Sequence, residues 1–190
     1  ARATFWLAET NYNTSNFNEA LIGFKQFETS GKASATPEFT HLDYNLAYTY
    51  FKLKDYVKSS AAFKNYISKN PKDLNRLNDA YLRLADGYFV SSDYTNAISA
   101  YNEAIKIGAL EKDYAAFQKA LSYGYIGDQT KKIQQLEQFL ATYKASNLQD
   151  DALYTLANAY IDNNSTVEAM KTYSKLVNSF PESPLVSKAL

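Results

Sequence analysis

An internal repeat is the feature that most constrains how this chain can fold. One pattern recurs five times in the 190 residues. Its clearest copy comprises Leu84, Ala85, Tyr88, Ala97 and Tyr101. The alanines that anchor the five copies are spaced 39, 38, 35 and 37 residues apart, and they are Ala8, Ala47, Ala85, Ala120 and Ala157. A pattern repeated at this period predicts a protein built by stacking similar units, each of which buries the apolar face of the next.

Each copy contains two apolar stripes with helical spacing. In the third copy, Tyr81, Leu84 and Tyr88 form one stripe, and the segment 97–105 carries the other. A polar residue that can cap a helix start lies between the stripes in every copy, at Asn16, Asp55, Asp93, Asp128 and Ser165. The predicted unit is therefore a helix, a tight turn and an antiparallel helix.

A small residue occupies the same position in the second helix of most copies, at Ala20, Ser59, Ala97 and Ala169. Such a position predicts a close crossing of two helices, where a larger side chain would overpack the contact. The fourth copy departs from the pattern, since it has Lys132 there and Gln129 where the first three copies open the helix with an aromatic residue. The segment 30–37 predicts an extended loop between the first two copies.

Composition excludes several classes of protein. Twenty basic residues balance twenty acidic ones, so the chain lacks the basic excess typical of nucleic-acid binders. The sequence contains no cysteine, which excludes disulfides and thiolate ligands. No apolar run is long enough to span a bilayer. We therefore expect neither nucleic-acid binding nor direct membrane insertion within this chain.

No pattern of residues predicts catalysis. His41 is the only histidine, and no motif supplies a partner for proton transfer, so we interpret it as a surface residue near a helix start. One histidine and no cysteine leave only scattered carboxylates for a metal. The segment 124–127 has two glycines but lacks the remainder of a phosphate-binding loop. We predict a protein that is not an enzyme and that uses no metal or cofactor.

The pattern of Tyr81, Leu84, Ala85 and Tyr88, followed by Ala97, resembles the tetratricopeptide repeat. This resemblance implies an all-α, right-handed α-solenoid of about five antiparallel helix pairs. The copies are expected at residues 1–36, 37–72, 73–110, 111–146 and 147–183, with residues 184–190 starting a further helix of a longer protein. The junction at residues 180–184 is similar to tetratricopeptide proteins of the bacterial cell envelope, such as outer-membrane-assembly lipoprotein scaffolds and the Tol–Pal-associated coordinator.

The resemblance also implies that the first helix of each pair lines a concave groove that binds extended peptides or helices. The aligned groove positions are rich in aromatic residues, and they are Phe5, Glu9, Tyr12, Tyr44, Tyr48, Phe51, Leu82, Asp86, Phe89, Phe117, Leu121, Tyr125, Tyr154 and Asn158. Of the positions that grip a terminal carboxylate in one subfamily, only Asn45 and Arg83 match. That type of clamp is therefore not expected, and the acidic groups favour a neutral or basic ligand.

These observations leave three functions open. The first is a protein–protein interaction scaffold that binds a peptide or partner segment in the groove, in the periplasm or elsewhere in the cell envelope. The second is a structural spacer or self-association segment of a larger envelope complex. The third is the interaction arm of a protein whose catalytic part lies outside this chain.

Overall fold

A computed structural model describes residues 1–189 of the chain, and every long element in them is a helix. The helices are α1 (Arg2–Asn13), α2 (Phe17–Thr29), α3 (Leu42–Lys52), α4 (Tyr56–Ser68), α5 (Leu74–Val90), α6 (Tyr94–Ile107), α7 (Lys112–Tyr125), α8 (Gln129–Thr142), α9 (Gln149–Asp162), α10 (Thr166–Ser179) and α11 (Val186–Ala189). No strand occurs in the described part of the chain. The prediction of an all-α array of helix pairs is confirmed.

The helices belong to two compact units. Unit 1 is Ala1–Asp93 and holds α1 to α5, and unit 2 is Tyr94–Leu190 and holds α6 to α11. Within each unit, every helix packs against the one that follows it in sequence. The boundary falls inside the third copy, between its first helix, α5, and its second helix, α6. The repeat boundaries drawn from the sequence remain a prediction.

The predicted loop after α2 has its own structure. It contains two short 3-10 helices, Ala33–Ala35 and Pro37–His41. Glu38 of the second one is buried and accepts hydrogen bonds from the Arg2 Nε at 2.8 Å and the Trp6 Nε1 at 3.1 Å. These hydrogen bonds therefore link the start of α1 to the start of the second copy.

Aromatic and alanine side chains fill the two cores. In unit 1, the ring of Phe5 meets the rings of Phe24 and Phe27 edge-on, with centroids 5.5 and 5.1 Å apart. In unit 2, α7, α8 and α9 share one cluster, and its buried members are Phe117, Ala120, Leu136, Phe139, Ala152 and Leu156. The anchoring alanines of the five copies are all fully buried. These alanines therefore lie in the core, where a larger side chain would overpack the contact.

The turn inside each copy has the same backbone geometry. The residue just before the predicted capping position has a positive φ in every copy, and these residues are Ser15, Lys54, Ser92, Gly127 and Asn164. The caps of two copies are confirmed, since Asp55 accepts from the Lys58 N–H at 3.2 Å and Asp128 accepts from the Lys131 N–H at 3.0 Å. The side chains of Asn16 and Ser165 make no such capping bond.

The fourth copy compensates for its large residue at the helix crossing. A Cβ atom added to Gly124 of α7 would lie only 2.8 Å from Cδ of Lys132, so the lysine stem lies against the bare glycine backbone. The other copies have a large side chain at the position of Gly124, namely Tyr12, Phe51, Phe89 and Ile161. In this copy the large side chain, Lys132, lies on the second helix instead of the first, so the two helices still pack together.

The two repeat junctions at the end of unit 2 share one hydrogen-bonded motif. The Ser146 hydroxyl donates to Asp113 Oδ2 at 2.6 Å and accepts from the Leu148 N–H at 3.2 Å. Ser183 does the same with Asp150 and with the Leu185 N–H, at the same two distances. The further helix predicted for residues 184–190 begins at Val186. The Ser183 hydroxyl links this junction to α9 through Asp150.

Candidate functional site

Unit 1 has a cleft of about 340 Å³ formed mainly by its first helices. Side chains from α1, α3 and α5 form most of its surface, and Phe24 of α2 lies beneath them. The lining residues are Glu9, Tyr12, Asn13, Phe24, Tyr44, Asn45, Tyr48 and Arg76. The cleft lies in the lower part of the size range of small-ligand sites, enough for a few side chains of a partner.

Two tyrosines in the cleft are held by one carboxylate. The Tyr44 hydroxyl donates to Asp79 Oδ2 at 2.6 Å, and the Tyr48 hydroxyl donates to the same oxygen. The other Asp79 oxygen accepts from the Arg83 Nε at 3.4 Å. Burial raises the pKa of both tyrosines, and their hydrogen bonds to Asp79 raise it further. The phenols therefore remain protonated and keep both rings in place.

A second polar pair orders the neighbouring wall of the cleft. The Asn45 side-chain amide donates to Glu9 Oε1, which links α3 to α1. Tyr12 meets the ring of Tyr48 edge-on, with centroids 6.5 Å apart. Burial, and then the nearby carboxylates of Glu9 and Asp79, raise the pKa of Tyr12. Both Tyr12 and Asn45 are half-buried, so each keeps a surface that a ligand can touch.

Arg76 forms the third part of the cleft, and His41 lies next to it. The Arg76 Nη1 lies 2.6 Å from Nδ1 of His41. The guanidinium carbon of Arg76 lies 5.9 Å from the centroid of the Tyr44 ring. Burial, followed by the positive charge of Arg76, lowers the pKa of His41. The imidazole is therefore neutral at pH 7, and it can accept a hydrogen bond from the guanidinium.

The structure brings some of the predicted groove residues together in this cleft. Glu9, Tyr12, Tyr44 and Tyr48 all line it. The lining also includes four residues outside the predicted groove positions, namely Asn13, Phe24, Asn45 and Arg76. Of these, Asn45 matches a position of the carboxylate clamp. Arg76 lies three residues before Asp79, and that helical spacing was the available signal that both face the same way.

Other predicted groove residues of unit 1 lie outside the lining of the cleft. Phe5, Leu82 and Asp86 are buried, and Phe5 belongs to the aromatic core of the unit. Phe51 is half-buried and meets the Tyr56 ring edge-on at 5.4 Å. Phe89 is also half-buried. The buried side chains offer a ligand little surface, and a binding role for all of these residues remains a prediction.

The predicted groove residues of unit 2 are mostly engaged with their own neighbours. Phe117 is a buried core residue, and Leu121 packs against the same cluster. Tyr125 is 62% exposed, and its ring stacks on Tyr94 with centroids 4.7 Å apart.

The fifth copy supplies the last two of these residues. Tyr154 meets the Tyr173 ring at 6.0 Å, and Asn158 accepts a hydrogen bond from the Tyr173 hydroxyl at 2.7 Å. A role of this half-buried group in binding remains a prediction.

The described residues contain neither a cluster of metal ligands nor a membrane-spanning helix. No group of three or more metal-ligating side chains occurs among residues 1–189. None of the helices in this range is long and apolar enough to cross a membrane.

Comparison with known proteins supports the repeat. Two segments, residues 42–73 and 151–183, match the family model of the tetratricopeptide repeat. These segments correspond to the second and fifth copies. No curated protein is significantly similar to the chain in sequence.

Solved structures resemble the chain over nearly its full length. The MamA protein is 19% identical with a TM-score of 0.76, and the match covers 95% of this chain and 92% of that one. A putative kinesin light chain of Podosopora anserina, with nearly identical TPR-like repeats, is 17% identical with a TM-score of 0.69, covering 96% and 97%.

A third structure, YrrB, is described as a TPR protein with an unusual peptide-binding site. It is 14% identical with a TM-score of 0.75, and the match covers 98% of this chain and 89% of that one. Identities this low establish the fold alone. The chain therefore carries tetratricopeptide repeats in two matched segments and, over nearly its whole length, has the fold of the proteins built from them.

Proposed function

We propose that this protein is a non-catalytic interaction scaffold and that the cleft of unit 1 binds a peptide or a segment of a partner protein. The observation that carries the proposal is the bonding of the cleft walls. Asp79 holds Tyr44 and Tyr48, and Glu9 holds Asn45. Side chains already fixed in this way lose little conformational entropy when a ligand binds, so more of the contact energy contributes to affinity.

Aromatic side chains also suit this role. Tyr12, Tyr44 and Tyr48 offer both ring surface and a polar end, the combination that is enriched where proteins bind one another. The peptide-binding site named for YrrB shows that this fold can hold a peptide in that protein. Here the proposal rests on the cleft of unit 1.

Replacement of Tyr12 tests the proposal. A library of random peptides is selected against the whole chain, and the affinity of the best peptide is measured by fluorescence anisotropy. We expect Tyr12→Ala to weaken binding at least about tenfold, because aromatic side chains carry much of the energy at such contacts. The helical circular dichroism should not change, since Tyr12 is only half-buried.

Tyr123→Ala is the matched control, because Tyr123 is a half-buried tyrosine of unit 2. It should leave the affinity unchanged. Equal affinities for all three proteins, or a library that yields no binder, would contradict binding in the cleft.

Self-association is a second candidate function, favoured by the outer face of α1. Leu7 is 63% exposed there, whereas the equivalent Leu46 and Leu84 are 5% exposed and Leu156 is 4% exposed. An apolar position that is buried in three copies and exposed in another is suited to contact with a further helix. Light scattering should show a mass that grows with concentration and falls back to one chain for Leu7→Glu. A constant monomeric mass of the unaltered chain would remove this candidate.

A role in the bacterial cell envelope is a finer proposal. It rests on the junction at residues 180–184 and on its resemblance to envelope proteins of the same fold. Fractionation of cells that produce the full-length protein would test it, and a purely cytoplasmic protein would contradict it.

A further inference from the structure

The cleft of unit 1 contains two opposite charges that do not neutralise each other. Glu9 lines it from α1 and Arg76 from α5. Among the described residues, no ion pair with an N···O distance within 4.0 Å joins these two side chains. A cleft of about 340 Å³ thus presents a carboxylate and a guanidinium at separate places on its wall.

The other charged groups near the cleft are bonded to one another. Asp79 accepts hydrogen bonds from Tyr44, Tyr48 and Arg83. The Arg83 Nη1 also donates a hydrogen bond to Asp86 Oδ2 at 2.7 Å. Two carboxylates and one guanidinium leave this network with one net negative charge, which adds to the attraction of the cleft for a basic group.

Glu9 and Arg76 keep bonding capacity toward the cleft. Glu9 receives one neutral donor, the Asn45 amide, on Oε1. Arg76 bonds the neutral His41, and its Nε is 3.7 Å from the Asp73 carboxylate, which also caps the start of α5. A guanidinium has five N–H donors, so a neutral imidazole and one distant carboxylate leave several of them for a ligand.

We propose that the cleft recognises a peptide segment carrying one basic and one acidic side chain, with the basic group paired to Glu9 and the acidic group paired to Arg76. The inference rests on the proposed function, because it assumes that a peptide binds in this cleft. It also refines the expectation of a neutral or basic ligand, since Arg76 was not recognised from the sequence.

The rings between the two charges fit such a segment. Tyr12 and Tyr48 lie edge to face, and Tyr44 lies beside Tyr48 with ring centroids 5.1 Å apart. The methylene stem of a lysine or arginine packs well on aromatic rings while its charged end reaches a carboxylate. The guanidinium of Arg76 can hold a carboxylate through two parallel hydrogen bonds.

The test is a peptide selection with charge-neutral variants of the whole chain. A random heptapeptide library, flanked by Gly-Ser segments so that no free terminus supplies a charge, is selected against four proteins. These are the unaltered chain, Glu9→Gln, Arg76→Gln and a control with Glu28→Gln and Lys32→Gln, two exposed positions outside the lining of the cleft.

We expect the unaltered chain and the control to enrich peptides that carry a basic and an acidic residue at a fixed spacing. Glu9→Gln should lose only the preference for the basic residue of the peptide. Arg76→Gln should lose only the preference for its acidic residue. With a synthetic peptide of the enriched sequence, neutralising its basic residue should weaken binding to the unaltered chain at least about tenfold but leave binding to Glu9→Gln unchanged, which is the non-additivity of a direct pair.

The outcomes separate this inference from the proposed function. Enriched peptides without the charge pair, or additive effects in the double-variant comparison, would overturn the inference and leave peptide binding in place. A library that yields no enriched sequence would overturn both. Circular dichroism of each variant shows whether a lost preference comes from lost folding.

Discussion

At the scale of single residues, the cleft of unit 1 depends on polar side chains whose partners come from other helices. Asp79 of α5 fixes Tyr44 and Tyr48 of α3, and Glu9 of α1 fixes Asn45. The sequence identified the aromatic residues and Glu9 because they repeat with the copies. Alignment of the copies did not identify Arg76, because the equivalent positions hold Glu38, Glu111 and Leu148, and only the helical spacing from Asp79 pointed to it.

His41 gives this part of the molecule a pH dependence. Its pKa in the folded chain lies below the unfolded value of about 6.5, because burial and Arg76 disfavour the imidazolium. As the pH falls, the unfolded chain binds the proton first. The contribution of His41 therefore lowers stability from roughly pH 7 down to the folded pKa and stays constant at lower pH.

Urea unfolding of the unaltered chain and of His41→Gln measures this effect. Between roughly pH 7.5 and 5, we expect the unaltered chain to lose more unfolding free energy than the variant, since only the former carries the titrating group. The carboxylates titrate alike in both proteins, so their contributions cancel. Equal losses would show that His41 is not held in its neutral form.

At the scale of the helices, the repeated turn between the two helices of a copy has a strained residue. Ser15, Lys54, Ser92 and Asn164 all adopt positive φ, and only the fourth copy places a glycine, Gly127, at that position. Side chains with a Cβ are disfavoured in this conformation, whereas glycine adopts it freely. The capping residues could be predicted from the sequence, but this strain could not, since a serine or lysine before a cap has no diagnostic pattern.

A glycine at one of these turns should therefore stabilise the protein. Lys54 has φ of 61° and is exposed, so Lys54→Gly relieves strain without removing a packed side chain. We expect a gain of up to about 1 kcal/mol in the free energy of unfolding, reduced by the greater entropy of glycine in the unfolded chain.

Lys52→Gly is the control for this change. Lys52 is an exposed residue at the end of α3, and glycine in a helix costs roughly 0.5–1 kcal/mol. Chemical denaturation of both variants measures the difference. A loss of stability in Lys54→Gly comparable to that in Lys52→Gly would show that the turn is not strained.

At the scale of the whole chain, the repeated pattern was sufficient to predict the class of fold. The alanines spaced by 35 to 39 residues mark the buried contact of each copy, and the helices lie where the two stripes placed them. Burial of individual groove positions could not be predicted in the same way. Phe5 and Leu82 align with Tyr44 and Tyr154, which are half-buried, but their own neighbours in space, which the sequence does not reveal, bury them.

We propose that unit 1 offers a peptide a cleft whose walls are already ordered before binding. A crystal structure of the chain with its best selected peptide tests this most directly. We predict that the peptide lies against Tyr12 and Arg76 and that Tyr44 and Tyr48 still donate to Asp79, as they do without a ligand. A peptide bound elsewhere on the chain, or tyrosines that leave Asp79 when it binds, would contradict the claim.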